Sequence, residues 1–373
     1  MSLLEEMNQK ATAQGVPLSA HLDITWRCNE RCIHCYLDHE DKGEMSTAEI
    51  KDVIKQLAEC GTFFLSISGG EPLLRRDCFE ILEYARKLRF NVKLKTNAVM
   101  IGPKQAARLK ELGIEQVQIS IYSHLPEIHD AITKVPGSLS RSLEAIRHLK
   151  AQGVKVSITN VLMKQNITNG KAVQKLAKEL GVEFVIDPTI TPKLDGDRSI
   201  TSLGISAKEL EEVFHTEEFV GNVGEFCAPV STVDDDVLEG YSCSAGHTLA
   251  YISPYGDVFP CVQFPMPCGS LRKQTFREIW WRSEALTELR SVHVSDLPTC
   301  SHCSHVAYCT RCPGLAYLEG NMRGPSSADC AKSFARTGVV SAGMMAHSAQ
   351  SAVGLVQIQG IREPAYVPQP ALA

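Results

Sequence analysis

Three cysteines stand close together near the start of the chain, in Cys28-Asn-Glu-Arg-Cys32-Ile-His-Cys35. They follow a short apolar stretch, His21–Trp26, which we predict to be a β-strand. Three thiolates on one loop suit three corners of a cubane iron–sulfur cluster, because cysteine sulfur is its usual ligand. A fourth cysteine at matched spacing is missing, so the fourth iron would be open to an exogenous ligand. The alternative is a zinc site completed by His34, since structural zinc takes four protein ligands.

Outward from this stretch, apolar strand patterns alternate with amphipathic helical patterns. The predicted strands are His21–Trp26, Phe63–Ile67, Val92–Lys95, Val117–Tyr122, Lys155–Val161 and Phe184–Ile186. The predicted helices between them are Thr47–Glu59, Phe79–Leu88, Pro103–Leu112, Leu139–Gln152 and Gly170–Leu180. Six βα units in series predict an α/β fold with a parallel sheet and right-handed crossovers. Ligands of such folds bind at the C-terminal ends of the strands.

The C-terminal part has a different pattern. Ser206–Phe214 predicts a short helix, and Thr248–Ser253 with Val258–Cys261 predicts a β-hairpin around a Pro254–Asp257 turn. Thr275–Arg290 predicts one helix that carries two tryptophans. Ser348–Ala373 is rich in Gln, Pro and Ala, and we expect a poorly ordered or surface-docked tail.

Composition excludes several classes of protein. The chain has 373 residues and fourteen cysteines, which is too long and too dilute in cysteine for a disulfide-stapled mini-protein. A net charge of −5 argues against a nucleic-acid surface. The N-terminus has no signal-peptide pattern, and Gly338–Val356 is interrupted by polar residues and does not predict a membrane span. We therefore expect a reducing cytoplasm, where clustered cysteines bind metal or do redox chemistry.

Polar residues mark the predicted strand ends beside the three cysteines. Ser68-Gly69-Gly70-Glu71-Pro72 follows the second strand, and its glycines allow close approach of backbone to a ligand while Glu71 offers a carboxylate. Asn97, Ser120 and Asn160 lie at or near the ends of the third, fourth and fifth strands. Taken singly, each is an ordinary strand-end residue, but together they place polar groups on one rim.

The C-x3-C-x2-C run followed by Gly-Gly-Glu-Pro resembles the radical S-adenosylmethionine superfamily. The resemblance implies a partial (β/α)6, TIM-like barrel over residues 18–200, after an N-terminal segment of residues 1–17. It implies that Cys28, Cys32 and Cys35 ligate a [4Fe–4S] cluster whose fourth iron chelates S-adenosylmethionine. It also implies cofactor contacts, which would come from His34, Gly69, Gly70, Glu71, Asn97, Ser120 and Asn160. Glu71 would lie near the amino group of the cofactor.

A second cysteine pattern resembles the SPASM extension, which binds auxiliary iron–sulfur clusters. It runs from Cys243 and Cys261 through Cys300-x2-Cys303-x5-Cys309-x2-Cys312 to Cys330, within residues 241–335, after a 201–240 linker and before a 336–373 tail. The spacing before Cys312 is two residues where three is usual. The resemblance implies one cluster on Cys300, Cys303, Cys309 and Cys330. It implies an inner cluster on Cys243, Cys261 and Cys312.

Two questions about these cysteines stay open from the sequence. The eighth auxiliary ligand would be Cys227, with Cys268 as its competitor, or an open iron. Cys300, Cys303, Cys309 and Cys312 could alternatively form a four-cysteine zinc site. Cys60 and Cys78 are expected to be packing residues.

The resemblance implies oxidative modification or crosslinking of a ribosomally made peptide or protein side chain, as in pyrroloquinoline quinone and mycofactocin maturation. Electrons would come from a flavodoxin or ferredoxin. Because no peptide-recognition domain precedes the predicted barrel, substrate binding would use a separate recognition protein or the barrel itself. Side-chain modification of a tetrapyrrole is the alternative, and a non-catalytic iron–sulfur or zinc protein is a second one. Candidates for a catalytic base are Asp187 and Tyr122, with Thr189, Thr191 and His124 nearby in sequence.

Overall fold

Nine strands in one sheet organise the computed structural model, which describes residues 3–227 and 235–353. The strands are β1 (Ser19–Asp23), β2 (Phe64–Ser68), β3 (Asn91–Thr96), β4 (Gln116–Ser120), β5 (Val156–Val161), β6 (Glu183–Asp187), β7 (Leu249–Ile252), β8 (Asp257–Phe259) and β9 (Gly269–Ser270). Their order is β6-β5-β4-β3-β2-β1-β7-β8-β9. Strands β1 to β6 are parallel, which confirms the predicted α/β fold with a partial barrel.

Helices cover the outer face of the sheet. Those of the barrel are α1 (Leu3–Gln14), α2 (Thr47–Glu59), α3 (Cys78–Lys87), α4 (Pro103–Glu111), α5 (Pro126–Thr133), α6 (Ser138–Ala151) and α7 (Gly170–Leu180). Those that follow are α8 (Ala207–Phe214), α9 (Glu217–Val220), α10 (Val223–Cys227), α11 (Asp235–Leu238), α12 (Phe276–Arg282), α13 (Glu284–Arg290), α14 (Pro313–Leu318), α15 (Ser327–Thr337) and α16 (Ala342–Val353). No helix in these two described stretches is long and apolar enough to cross a membrane.

Local sequence explains the regular part of this architecture. In α2 the Ser46 hydroxyl accepts a hydrogen bond from the Glu49 amide, and the Glu49 carboxylate accepts one from the Ser46 amide. This capping box satisfies amides that the first helical turn leaves unpaired. The apolar residues of α2 recur at helical spacing and are buried against the sheet. They are Ile50, Val53, Ile54 and Leu57.

Several predictions made from local pattern need correction. The single helix predicted over Thr275–Arg290 is two helices, because Ser283 between them has extended backbone (φ −64°, ψ 125°). Helix α5 was not predicted. The predicted tail begins inside α16, which continues to Val353, and residues 354–373 lie outside the described residues. Within residues 201–240 the predicted helix Ser206–Phe214 forms as α8, and the described residues also form α9, α10 and α11, which were not predicted.

The predicted hairpin forms, but it is also part of the barrel sheet. Strand β7 pairs in parallel with β1, with Ser19 opposite Leu249 and Leu22 opposite Ile252. Asp23 is 0% exposed and stabilises the pairing of the two strands. Its carboxylate accepts hydrogen bonds from the Tyr251 hydroxyl (2.9 Å), the Trp26 indole N–H (3.3 Å) and, at its other oxygen, His21 Nε2 (3.1 Å). A buried carboxylate is tolerated only when its oxygens are satisfied in this way.

Replacing Tyr251 with Phe tests this junction. The change removes one donor from a fully buried carboxylate, and we expect a loss of about 2 kcal/mol in the free energy of unfolding. Urea unfolding under anaerobic conditions measures it. The matched control is Tyr317→Phe, because the Tyr317 side chain is 36% exposed. Equal midpoints for the two variants would show that the Asp23–Tyr251 hydrogen bond does not stabilise the junction.

Candidate functional site

The Cys28–Cys35 loop leaves β1 and is held against the loop after β2. The Gly70 amide donates to the Thr25 carbonyl oxygen (2.8 Å), and the Glu71 amide donates to that of Arg27 (2.9 Å). A Cβ atom on Gly69 would come within 2.0 Å of the Thr25 oxygen, and Gly69 has φ +146°. A Cβ on Gly70 would come within 2.5 Å of two carbonyl oxygens. Only glycine allows this close approach of the two loops.

Glu71 organises the end of β3 beside these loops. Its carboxylate is 0% exposed and accepts hydrogen bonds from the Thr96 hydroxyl (2.8 Å) and from the amides of Leu73 (3.0 Å) and Asn97 (2.8 Å). Burial raises its pKa, although these donors oppose the shift. The oxygens predicted to face the cofactor amino group are therefore already engaged by the protein. Glu71 orients Asn97.

Four predicted site residues lie beside the first three cysteines. The Asn97 amide group donates to Asn29 Oδ1 (2.7 Å) and lies 3.9 Å from Cys28 Sγ. The Tyr122 hydroxyl lies 4.0 Å from Cys32 Sγ, and its ring packs edge-on against His34 at 4.8 Å between centroids. The Nδ1 atom of His34 is buried without a hydrogen-bond partner among the described residues. Ser120, at the end of β4, interacts with the Tyr122 hydroxyl.

Other predicted residues have different surroundings. Asn160 is fully buried, and its amide donates to the Ile121 carbonyl oxygen (2.6 Å). Asp187 ends β6 and accepts from the Thr189 amide (2.9 Å). The Thr191 hydroxyl accepts from the Gln263 side chain (2.7 Å), which links the end of the barrel to the loop after Cys261. His124 Nδ1 is buried and lacks a partner in the described parts of the chain.

The donor set of the first loop fits an iron–sulfur cluster. Burial raises the pKa of the Cys28 thiol to about 12, and the charges of Glu71, Glu30 and Cys35 add to this effect. Burial likewise raises the pKa values of Cys32 and Cys35. Such thiols stay protonated until a metal replaces the proton and compensates the thiolate charge. The three sulfurs act on one another electrostatically, so they share one environment.

The C-terminal cysteines fall into two groups. The thiols of Cys300, Cys303, Cys309 and Cys330 influence one another and line a cavity of about 300 Å³. Cys243 acts on both Cys261 and Cys312. Cys312 therefore lies near Cys243, and Cys330 lies with Cys300, Cys303 and Cys309. This grouping differs from the alternative zinc site, in which Cys312 would be the fourth ligand. In residues 3–227 and 235–353, no three Cys, His, Asp or Glu side chains converge on the position of a single metal ion.

The remaining cysteines have other neighbours. Cys227 Sγ donates to the Phe214 carbonyl oxygen (3.5 Å) and lies near the charge of Arg336. Cys268 is buried, donates to the Met266 carbonyl oxygen (3.4 Å) and lies near Arg290. Cys60 and Cys78 are buried in the main core cluster, as expected for packing residues.

A group of polar residues between the two cysteine regions was not foreseen. Tyr36 is under the influence of Asp23, Cys35 and Cys261, and burial raises its pKa well above the ordinary value. Burial lowers the pKa of Lys95, and the nearby charges of Asp23 and Cys261 oppose that shift. No hydrogen bond or ion pair joins the Lys95 ammonium to another residue within the described ranges. Alternation along β1 and β3 places His21, Asp23 and Lys95 on the face opposite the buried apolar residues, which was the available sequence clue.

Comparison with known proteins agrees with this geometry. Residues 22–180 match the radical SAM superfamily, and residues 243–304 match SPASM, an iron–sulfur cluster-binding domain. An AdoMet-dependent heme synthase from Methanosarcina barkeri is 29% identical over 320 residues, covering 79% of this chain and 90% of the relative. The mycofactocin maturase MftC from Mycobacterium tuberculosis is 29% identical over 309 residues, covering 79% and 77%.

A solved structure shares the fold. Streptococcus suis SuiB bound to S-adenosylmethionine superposes with a TM-score of 0.70 at 18% identity, over 86% of this chain and 80% of that one. SuiB has also been solved with its precursor peptide SuiA. The first match contains the first cysteine group, and the second contains Cys243, Cys261, Cys300 and Cys303 and ends before Cys309. Residues 22–180 are therefore a radical SAM domain, and residues 243–304 are a SPASM iron–sulfur cluster-binding domain.

Proposed function

We propose that this enzyme abstracts hydrogen from a side chain of a ribosomally synthesised peptide or protein and leaves that side chain oxidised or crosslinked. A radical SAM domain binds a [4Fe–4S] cluster with S-adenosylmethionine, and a SPASM domain binds auxiliary iron–sulfur clusters. When bound, the first cluster and S-adenosylmethionine supply a 5′-deoxyadenosyl radical, so the hard chemistry belongs to the cofactor. The protein binds and orients the cofactor and the substrate and shields them from water.

The observation that carries this proposal is the position of Tyr36. It lies within electrostatic reach of Cys35 in the first cysteine group and of Cys261 in the inner auxiliary group. A substrate beside Tyr36 and Lys95 would lie between a hydrogen-abstracting centre and an electron acceptor. Removal of two electrons from a substrate needs both, and the proximity of the two cysteine groups to Tyr36 supports such a role.

Residue roles follow from the contacts. We propose Cys28, Cys32 and Cys35 as ligands of the first cluster, with Asn97, His34 and Tyr122 around it. Cys300, Cys303, Cys309 and Cys330 would hold the outer auxiliary cluster, and Cys243, Cys261 and Cys312 the inner one. Cys227 stays our proposed eighth ligand, with Cys268 as competitor. Gly69 and Gly70 would bring backbone close to the cofactor.

Two relatives support different substrates. The mycofactocin maturase and the SuiB–SuiA complex support a peptide, delivered either directly or with a separate recognition protein. The heme synthase supports a tetrapyrrole as the second candidate, at equal identity and over more of the relative. We propose a flavodoxin or ferredoxin as electron donor. We also propose a reducing cytoplasm, because clustered cysteines in that compartment bind metal or do redox chemistry.

The first cysteine group can be tested by replacing Cys28, Cys32 and Cys35 with Ala together. We expect iron to fall from about twelve to about eight per chain, since each cubane holds four irons. Formation of 5′-deoxyadenosine from S-adenosylmethionine and dithionite should disappear. Cys60→Ala is the matched control, because Cys60 is a buried core thiol. Survival of cleavage in the triple variant would refute the assignment.

The eighth ligand can be tested with Cys227→Ala and Cys268→Ala. The variant that lacks a true ligand should change the electron paramagnetic resonance spectrum of one auxiliary cluster and lower its iron content, because a thiolate has been lost. The other variant should match the unmodified protein and serves as its control. Unchanged spectra and iron in both variants would contradict Cys227 and leave an inner iron open to substrate.

The substrate class can be tested by mass spectrometry. Reduced, reconstituted enzyme is incubated with S-adenosylmethionine and either short peptides encoded beside its gene or iron coproporphyrin. We expect a peptide to lose two hydrogens, with one 5′-deoxyadenosine formed per event, and the porphyrin to remain unchanged. The Cys28→Ala variant is the control in both arms. A modified porphyrin with unmodified peptides, or a porphyrin absorbance band in purified protein, would favour the second candidate.

A further inference from the structure

Arg311 lies between the two auxiliary cysteine groups. It stands between Cys309 and Cys312 in the sequence and is only 6% exposed. It lines the cavity of about 300 Å³ that contains the outer cysteines. It also lines a smaller cavity beside Cys243 and Pro313 of the inner group. One buried side chain therefore lines the cavity of the outer cysteines and also lies beside Cys243, one of the three inner cysteines.

The hydrogen bonds of Arg311 leave its charge uncompensated. The guanidinium donates to the Gly324 carbonyl oxygen from Nε (3.1 Å) and Nη2 (2.6 Å), and to the Met322 carbonyl oxygen. The Nη1 atom donates a long hydrogen bond to the Ser242 hydroxyl (3.4 Å). All of these acceptors are neutral, and no carboxylate of the described residues lies within ion-pairing distance of this guanidinium. A buried guanidinium without a charged partner is costly.

The Arg311 side chain interacts directly with the Cys300 sulfur. A buried cation without a carboxylate partner becomes favourable when an anion binds beside it. A cubane cluster with cysteine thiolates is such an anion, and one more negative charge is added when it is reduced.

A charge of opposite sign lies in the same region. Asp329 is 2% exposed, and its carboxylate accepts from the Cys312 amide (2.7 Å) and from Lys332 Nζ (3.1 Å). Asp329 lies close enough to act electrostatically on Cys300 and Cys309 of the outer group and on Cys312 of the inner group. Because their charges are opposite, replacing Arg311 and replacing Asp329 should shift the cluster reduction potentials in opposite directions.

We propose that Arg311 is the shared countercharge of the two auxiliary clusters and stabilises their reduced forms, while Asp329 opposes it. Arg311 acts as a tuning residue, since it works on the clusters through space and touches no substrate. Charge and hydrogen bonding around cluster sulfurs are the protein's means of setting the reduction potential. The proposal does not depend on whether the substrate is a peptide or a tetrapyrrole.

The experiment measures reduction potentials by potentiometric titration followed by electron paramagnetic resonance. Full-length protein with Cys28→Ala, Cys32→Ala and Cys35→Ala removes the first cluster, so that the remaining spectra belong to the auxiliary clusters. We expect Arg311→Gln to shift both potentials to more negative values and Asp329→Asn to shift them to more positive values. Arg311→Lys, which keeps the charge, should shift them less than Arg311→Gln. Arg282→Gln removes an exposed arginine and should match the background protein.

Iron content and circular dichroism of each variant separate a change of potential from a loss of folding. Full iron with unshifted potentials in Arg311→Gln would overturn the proposal. Shifts of the same sign in Arg311→Gln and Asp329→Asn would also overturn it, because a merely structural disturbance has no reason to follow charge. If Arg311→Gln fails to assemble its clusters, Arg311→Lys and Asp329→Asn still test the proposal. A shift of the reduction potentials to more negative values in Asp329→Asn contradicts it.

Discussion

The parallel pairing of β1 with β7 is the constraint on which the rest of the structure depends. Strand β1 pairs with β2 on one side and with β7 on the other, so it joins the barrel to the cysteine-rich part. The same strand leads directly into the Cys28–Cys35 loop. Asp23 is buried at this junction and takes a donor from Tyr251, 228 residues away. Because an unsatisfied buried carboxylate is costly, β1 and β7 are held in this register.

That pairing explains why the two cysteine regions approach each other. Strand β7 continues through a tight turn into β8 and on to Cys261, while β1 continues into Cys35. Tyr36 and Asp23 are therefore close to sulfurs from both ends of the chain. Lys95, which lies on β3, is also within electrostatic reach of Asp23 and Cys261.

Local pattern predicted the elements whose causes are local. Thr47–Glu59 and Gly170–Leu180 have the predicted bounds, because a capping box, apolar spacing and a terminal glycine act within a few residues. The break at Ser283 was missed, because the residues on both sides favour a helix. Helix α5 is only eight residues long and has no side-chain cap at its start. The pairing of the hairpin with β1 could not be predicted either, because local sequence does not specify which strand will pair with which.

The sequence by itself determined the chemistry available: the cysteine spacings, the paired glycines and the alternation of strands and helices that together indicate a radical SAM barrel with a SPASM extension. Spacing suffices there because ligands on one loop lie close together whatever the rest of the chain does. Only the tertiary structure decided that Glu71 is engaged by Thr96 and Asn97, and that Arg311 lines both the cavity of the outer cysteines and a smaller cavity beside Cys243. These relations join residues distant in sequence, and their geometry is set by strand register and by the packing of buried charges.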